Sequence, residues 1–140
     1  MTGSRLDAPP ETLDDDPPVS TFMTRRLVGI VPEAALPVAL RLMVSGGVRH
    51  LLVMDGERCR GLVLEQDVAR VLAGPRPPVP LLVGELCRRT PRLRPTDRRS
   101  AAAARMHEAG LDAAVVVGDG RLLGIVTATD VLRSLAAGAA

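Results

Sequence analysis

The sequence predicts a mixed α/β chain of the α+β kind, built from two copies of a β-α-β-β-α unit packed sheet to sheet. Three observations predict it. An ungapped slide of 63 residues lays 34–74 on 97–137 with twelve identities, among them Gly47/Gly110, Gly61/Gly124, Asp67/Asp130 and Arg70/Arg133. Within each copy, apolar runs of strand length alternate with stretches whose apolar residues recur at helical spacing. Between the copies, Gly74-Pro75-Arg76-Pro77-Pro78 precludes a continuous helix, because proline lacks an amide hydrogen and clashes with the preceding turn.

The elements follow in order. Residues 1–18 hold Pro9, Pro10, Pro17 and Pro18 with Asp14, Asp15 and Asp16, too polar and proline-rich to pack, and read as a disordered tail. The first copy spans 19–75. Arg26 to Val31 suits a strand stopped by Pro32; Leu36, Leu40, Met43 and Val44 mark a helix ended by Gly46-Gly47. His50 to Met54 and Arg60 to Leu64 are strands joined by an Asp55-Gly56 turn, and a helix starts at Asp67. The second copy spans 76–140. Thr96 is placed to cap a helix over Arg99 to Ala109, which Gly110 stops. Ala113 to Val117 and Leu122 to Thr127 are strands around Asp119-Gly120, and Thr129 to Leu135 is the last helix. A three-stranded sheet with two helices covers one face only. Packing the two left-over faces together, about a pseudo-twofold axis, is the economical solution.

Composition limits the function classes. The chain has 140 residues, 46% hydrophobic and 24% charged, with Phe22 its sole aromatic, so Val, Leu, Ile, Ala and Met must build the core. All 18 basic residues are arginine, and the net charge of +2 is too small to argue for nucleic acid or membrane. No apolar run has the length of a spanning helix or a signal peptide, which points to the cytoplasm. Cys59 and Cys87 stand outside any motif and read as reduced thiols. His50 and His107 lie in different copies, and neither a nucleophile motif nor metal-ligand spacing is present, so no catalytic residue and no metal site is expected.

Gly124-Ile125-Val126-Thr127-Ala128-Thr129-Asp130, straddling the last strand and helix, resembles the nucleotide-binding signature of cystathionine-β-synthase-type (CBS) domains. So does the upstream run of Met43, Gly47 and the apolar strand Leu51 to Asp55. The resemblance covers both copies, roughly 19–137. It implies a non-catalytic regulatory module that binds an adenosine-containing ligand (AMP, ADP, ATP or S-adenosylmethionine) in the cleft between two CBS domains. It also implies a homodimer, no tightly bound cofactor and an unknown regulated protein. A carboxylate in a helix's first turn faces the positive end of the helix dipole and accepts hydrogen bonds readily. Asp130 would take the two ribose hydroxyls, with the Thr127 hydroxyl beside them. The plainer reading, that Asp130 and Thr127 cap the helix, also stands.

The first copy departs from the signature: in Gly61-Leu62-Val63-Leu64-Glu65-Gln66-Asp67, Leu64 replaces the Thr or Ser. Asp67 remains as acceptor, but one working site per chain is expected. The resemblance further implies Val28 and Ile30 flanking the adenine, and Val48, Arg49 and His50 at the ligand's phosphate end. Arg49 reads equally as a solvated surface arginine. Asp112 and Ala113 hold the matching places in the second copy and do not suit a phosphate. Two other functions remain open: a ligand-free CBS dimerisation module and, remotely, a nucleic-acid-binding protein. The last would use Arg88, Arg89, Arg92, Arg94, Arg98 and Arg99, but no aromatic offers a stacking platform. Arg89 is alternatively a residue that faces the first cleft.

Overall fold

The computed structural model describes residues 15–139. It divides into two units whose membership does not follow chain order. The first unit is Arg26–Thr90; the second joins the described residues up to Arg25 to those from Pro91 onward.

The first unit holds β1 (Gly29–Ile30), α1 (Leu36–Gly46), β2 (His50–Asp55), β3 (Arg58–Leu64) and α2 (Glu65–Ala73). Its sheet has the order β1-β2-β3, parallel then antiparallel. Side chains alternate across a strand, so Leu51, Val53 and Val63 point to one face. There they meet Leu36, Ala39 and Met43 of α1 and Val68 of α2 in a single core cluster. Each of these Leu, Val and Met side chains contributes about 1.5–3 kcal/mol on burial. Leu52, Leu62 and Leu64 point to the other face and are also buried, which is why the strands read as unbroken apolar runs.

The second unit repeats the plan with β4 (Arg92–Leu93), α3 (Arg99–Ala109), β5 (Ala113–Gly118), β6 (Arg121–Thr127) and α4 (Ala128–Ala139). Val19, Met23, Leu93, Ala102, Met106, Ala114, Val116, Val126 and Val131 form its core. The mixed α and β architecture with one three-stranded sheet per copy is thus the one the sequence predicts.

Glycines stop α1 and α3 as expected. Gly47 and Gly110 adopt left-handed φ of 64° and 67°, and the amides after them, of Val48 and Leu111, return to the Met43 and Met106 carbonyls at 3.0 Å. The last helix of each copy begins earlier than its sequence suggests, at Glu65 rather than Asp67 and at Ala128 rather than Thr129. Asp67 and Asp130 therefore occupy the third helical position.

Thr96 does not cap α3, because the helix starts at Arg99 with Arg98 in the capping place. The Asp16 carboxylate takes over, accepting from the Ser100 amide at 2.9 Å and the Ser100 hydroxyl at 2.6 Å. Of the tail expected over 1–18, residues 1–14 lie outside the described residues. Asp15 to Pro18 pack on α3: the buried Arg99 donates to the Asp15 carbonyl at 2.6 Å and to the Ser134 hydroxyl at 3.0 Å.

A short strap enters each unit from elsewhere in the sequence. In the second unit a 3-10 turn, Val19–Thr21, leads to Thr24, which bridges Ile125 antiparallel with N···O distances of 2.8 and 2.9 Å. In the first unit the turn Val83–Glu85 leads to Arg88, which bridges Leu62 at 2.7 and 2.9 Å. The first strap lies upstream of β1 yet flanks β6; the other lies downstream of α2 and flanks β3.

Candidate functional site

The signature corner of the second unit forms where β6 meets α4. Thr127 stands just before the helix and Asp130 at its third position, and the two satisfy each other. The Asp130 amide donates to the Thr127 hydroxyl at 3.2 Å, and the Thr127 amide donates to the Asp130 carboxylate at 3.0 Å. This reciprocal pair is a capping box with Asp in place of Glu. The capping reading of these residues therefore holds, whatever else they do.

A third side chain joins them that the sequence did not single out. The Thr24 hydroxyl, on the strap, donates to both Asp130 oxygens, at 3.0 and 3.1 Å. The signature's glycine makes this possible. A Cβ at Gly124 would lie 2.8 Å from both the Thr24 carbonyl oxygen and the Met23 sulfur, so only glycine lets the strap lie on β6. Arg133 is the nearby cation, 3.8 Å from Asp130 and well exposed. Asp130 itself is 5% exposed. Its carboxylate has about four acceptor positions, of which one hydroxyl and one amide use two.

The matching corner of the first unit is built differently. Leu64 stands before α2 and supplies no capping bond. Asp67 is gripped by a two-pronged arginine: Arg88 Nε donates to one oxygen at 2.7 Å and the other prong to the second at 2.9 Å. Arg70 adds a contact at 3.4 Å. The Arg88 hydrogen bond, aided by its charge, holds the Asp67 carboxyl below the usual carboxylate range, against the opposing effect of burial. Gly61 is again obligatory: with φ of 149°, its Cβ would sit 2.1 Å from the Arg88 carbonyl oxygen. Neither Cys87 nor Cys59 is in a disulfide, and burial pushes the Cys87 thiol up.

The remaining site candidates lie in the first unit. Ile30 is 7% exposed and belongs to the core, with Val28 and Val48 half-buried against it. The Val28 carbonyl accepts from the Leu52 amide at 2.9 Å. Arg49 is exposed, and its carbonyl accepts from Glu65, the first residue of α2, at 3.0 Å. His50 pairs with Leu64 across β2 and β3. Arg49 and His50 thus stand beside the first unit's corner with Asp67, while Thr127 and Asp130 come together in the second. In the second unit Asp112 holds the place of Arg49, its carbonyl accepting from Ala128 at 2.9 Å.

Arg88 and Thr24 were hidden by one residue. Met23-Thr24 corresponds to Cys87-Arg88 at an offset of 64, whereas the repeats align at 63. Arg88, not its neighbour Arg89, reaches the first corner. The rest of the basic strip is largely engaged with its own chain: Arg94 with Asp97, Arg98 with the Asp16 carbonyl, and Arg99 as described. Among the described residues no helix is long and apolar enough to cross a membrane.

Comparison with known proteins agrees with this construction. The CBS domain profile matches residues 19–74 and 83–137. An uncharacterized 17.7 kDa protein of Acidianus ambivalens is 33% identical over 60 residues, covering 42% of this chain; the match spans only 37% of that relative's length. A putative signal-transduction protein with CBS domains from Burkholderia ambifaria superposes with a TM-score of 0.72 at 28% identity, covering 81% of this chain and 85% of its own. The crystal structure of CBSX2 in complex with AMP gives a TM-score of 0.72 at 27% identity, covering 86% and 96%. A CBS domain pair in complex with 5′-methylthioadenosine and S-adenosyl-L-methionine shares the fold, with a TM-score of 0.77 at 19% identity over 87% and 98%. Two tandem matches over most of the chain, each with its glycine, strap and helix-start aspartate in place, show that the chain belongs to the CBS domain family.

Proposed function

We propose that the chain is a non-catalytic regulatory module that binds an adenosine-containing ligand at the β6–α4 corner. The observation that carries this reading is the state of Asp130. It is a buried carboxylate that accepts from the Thr24 hydroxyl and the Thr127 amide, with acceptor positions left over and its nearby cation at 3.8 Å. Two adjacent ribose hydroxyls match those positions. The AMP bound by the CBSX2 structure, 27% identical to this chain, supports the same ligand class here. AMP, ADP, ATP and S-adenosylmethionine are the candidates, acting as regulatory ligands rather than tightly held cofactors.

A ligand that binds the native state alone raises stability by about 2.7 kcal/mol at a hundredfold excess over its dissociation constant. For a domain this size that is several degrees of melting temperature. The test is thermal unfolding with each candidate at millimolar concentration. If none moves the transition, the ligand-free reading replaces this one.

That second reading is a CBS module for dimerisation. The capping box favours it, since Thr127 and Asp130 already satisfy each other without a ligand. Leu132 and Leu135 on α4 are 66% and 48% exposed and offer an apolar face. Under either reading we place the chain in the cytoplasm as a homodimer. A sedimentation mass equal to the monomer at tens of micromolar would remove the dimer.

A further inference from the structure

We infer that Arg88 decides how many adenosine-type ligands one chain takes, by occupying the Asp67 carboxylate that the first copy would otherwise offer to a ribose. The inference rests on the function proposed above. It comes from laying one corner on the other. Each has a glycine that admits a strap, a strap residue bridging the signature strand, and an aspartate at the third position of the following helix.

The corners differ at two side chains. Thr24 and Thr127 in the second become Arg88 and Leu64 in the first. The Thr24 hydroxyl and the Thr127 amide each supply one donor to the Asp130 carboxylate and leave room for a ligand, while the Thr127 hydroxyl accepts from the Asp130 amide. The arginine fork engages both oxygens at once, at 2.7 and 2.9 Å, with planar geometry that fills the edge of the carboxylate two vicinal hydroxyls would use. Arg88 thus performs internally what a diol would perform as a ligand. Leu64 alone weakens the first corner by removing a hydroxyl; Arg88 closes it.

Opening the first corner tests this. Binding of AMP and of S-adenosylmethionine is measured by calorimetry and equilibrium dialysis on wild type, D130A, L64T/R88T and D130A/L64T/R88T. Wild type is expected to take one ligand per chain, and D130A to bind at least tenfold more weakly. The double variant should take two, and the triple variant should regain one site that a further D67A removes.

Two ligands on wild type, one of them lost with D67A, overturn the inference. So does one-site binding by a folded L64T/R88T. Failure of wild type to bind, with binding gained by L64T/R88T and lost with D67A, overturns the proposed wild-type function while supporting the role of Arg88. Failure of both proteins overturns both. If the opened variants do not fold, wild type supplies the readout through the Arg88 Nε–H resonance. Saturation with AMP should leave it unshifted and slowly exchanging, and its loss on binding shows that the ligand displaces Arg88.

Discussion

Thr24 and Asp130 lie 106 positions apart, yet the threonine hydroxyl rests 3.0 and 3.1 Å from the two oxygens of the carboxylate. A hydrogen bond to a charged group is worth about 1.5–3 kcal/mol. Thr24→Val keeps the shape and removes the donor. It is expected to lower the urea-unfolding free energy by roughly that amount, and a change under about 0.5 kcal/mol would show that water replaces the hydroxyl without cost.

Asp130→Ala and Asp67→Ala separate the two corners. Loss of Asp130 should weaken binding of an adenosine-type ligand about ten- to hundredfold. Loss of Asp67 should leave affinity nearly unchanged, because Arg88 already holds that carboxylate. Calorimetry on proteins shown to be folded decides between them. A larger loss from Asp67→Ala would reverse the assignment of the corners.

The Asp67–Arg88 pair also makes stability depend on pH. The folded carboxyl is held below its unfolded value, so its stabilisation is fully present above the unfolded pKa of about 3.9 and is lost as pH falls through the lower folded one. Wild type should therefore lose stability on acidification below about pH 4 more steeply than Arg88→Met, whose Asp67 lacks the partner. Urea midpoints between about pH 2 and 6 measure the two slopes. Parallel slopes would remove the pair from the account.

Asp16 caps α3 from outside the helix. Asp16→Ala should cost about 0.5–2 kcal/mol, the usual worth of such a cap, read from the melting temperature. An unchanged melting temperature would mean that Ser100 finds another acceptor.

Gly61→Ala tests the strap. Its Cβ would meet the Arg88 carbonyl at 2.1 Å in a backbone region that disfavours side chains. The strap must lift, and trypsin should then cut after Arg88 or Arg89 at a rate well above wild type. Wild-type resistance would show that the backbone shifts to accept the methyl group.

Much of this was legible in the sequence because it is local. Helix stops at Gly47 and Gly110, strands of unbroken apolar residues and the helix-start aspartates follow from short-range rules. The partners of those aspartates do not. Thr24 and Arg88 are placed by pairing with strands far away in sequence, and a one-residue change in offset hides their equivalence from an ungapped comparison. The capping of α3 failed for the same reason. Thr96 is the nearest hydroxyl along the chain, but Asp16 is nearest in space. Ile30, which the family resemblance sets beside the adenine, is the buried one of β1's two residues and packs in the core of the first unit.

The straps make the two copies hostages of one another. A chain cut at the Gly74-Pro75 break would yield a front piece carrying residues 19–25, which flank β6, and lacking 83–90, which flank β3. The rear piece would have the reverse deficit. Neither half has its own glycine groove filled, so each exposes a strand edge that the other's strap is shaped to cover. Gene halves expressed together are therefore expected to reassemble, and either alone to aggregate.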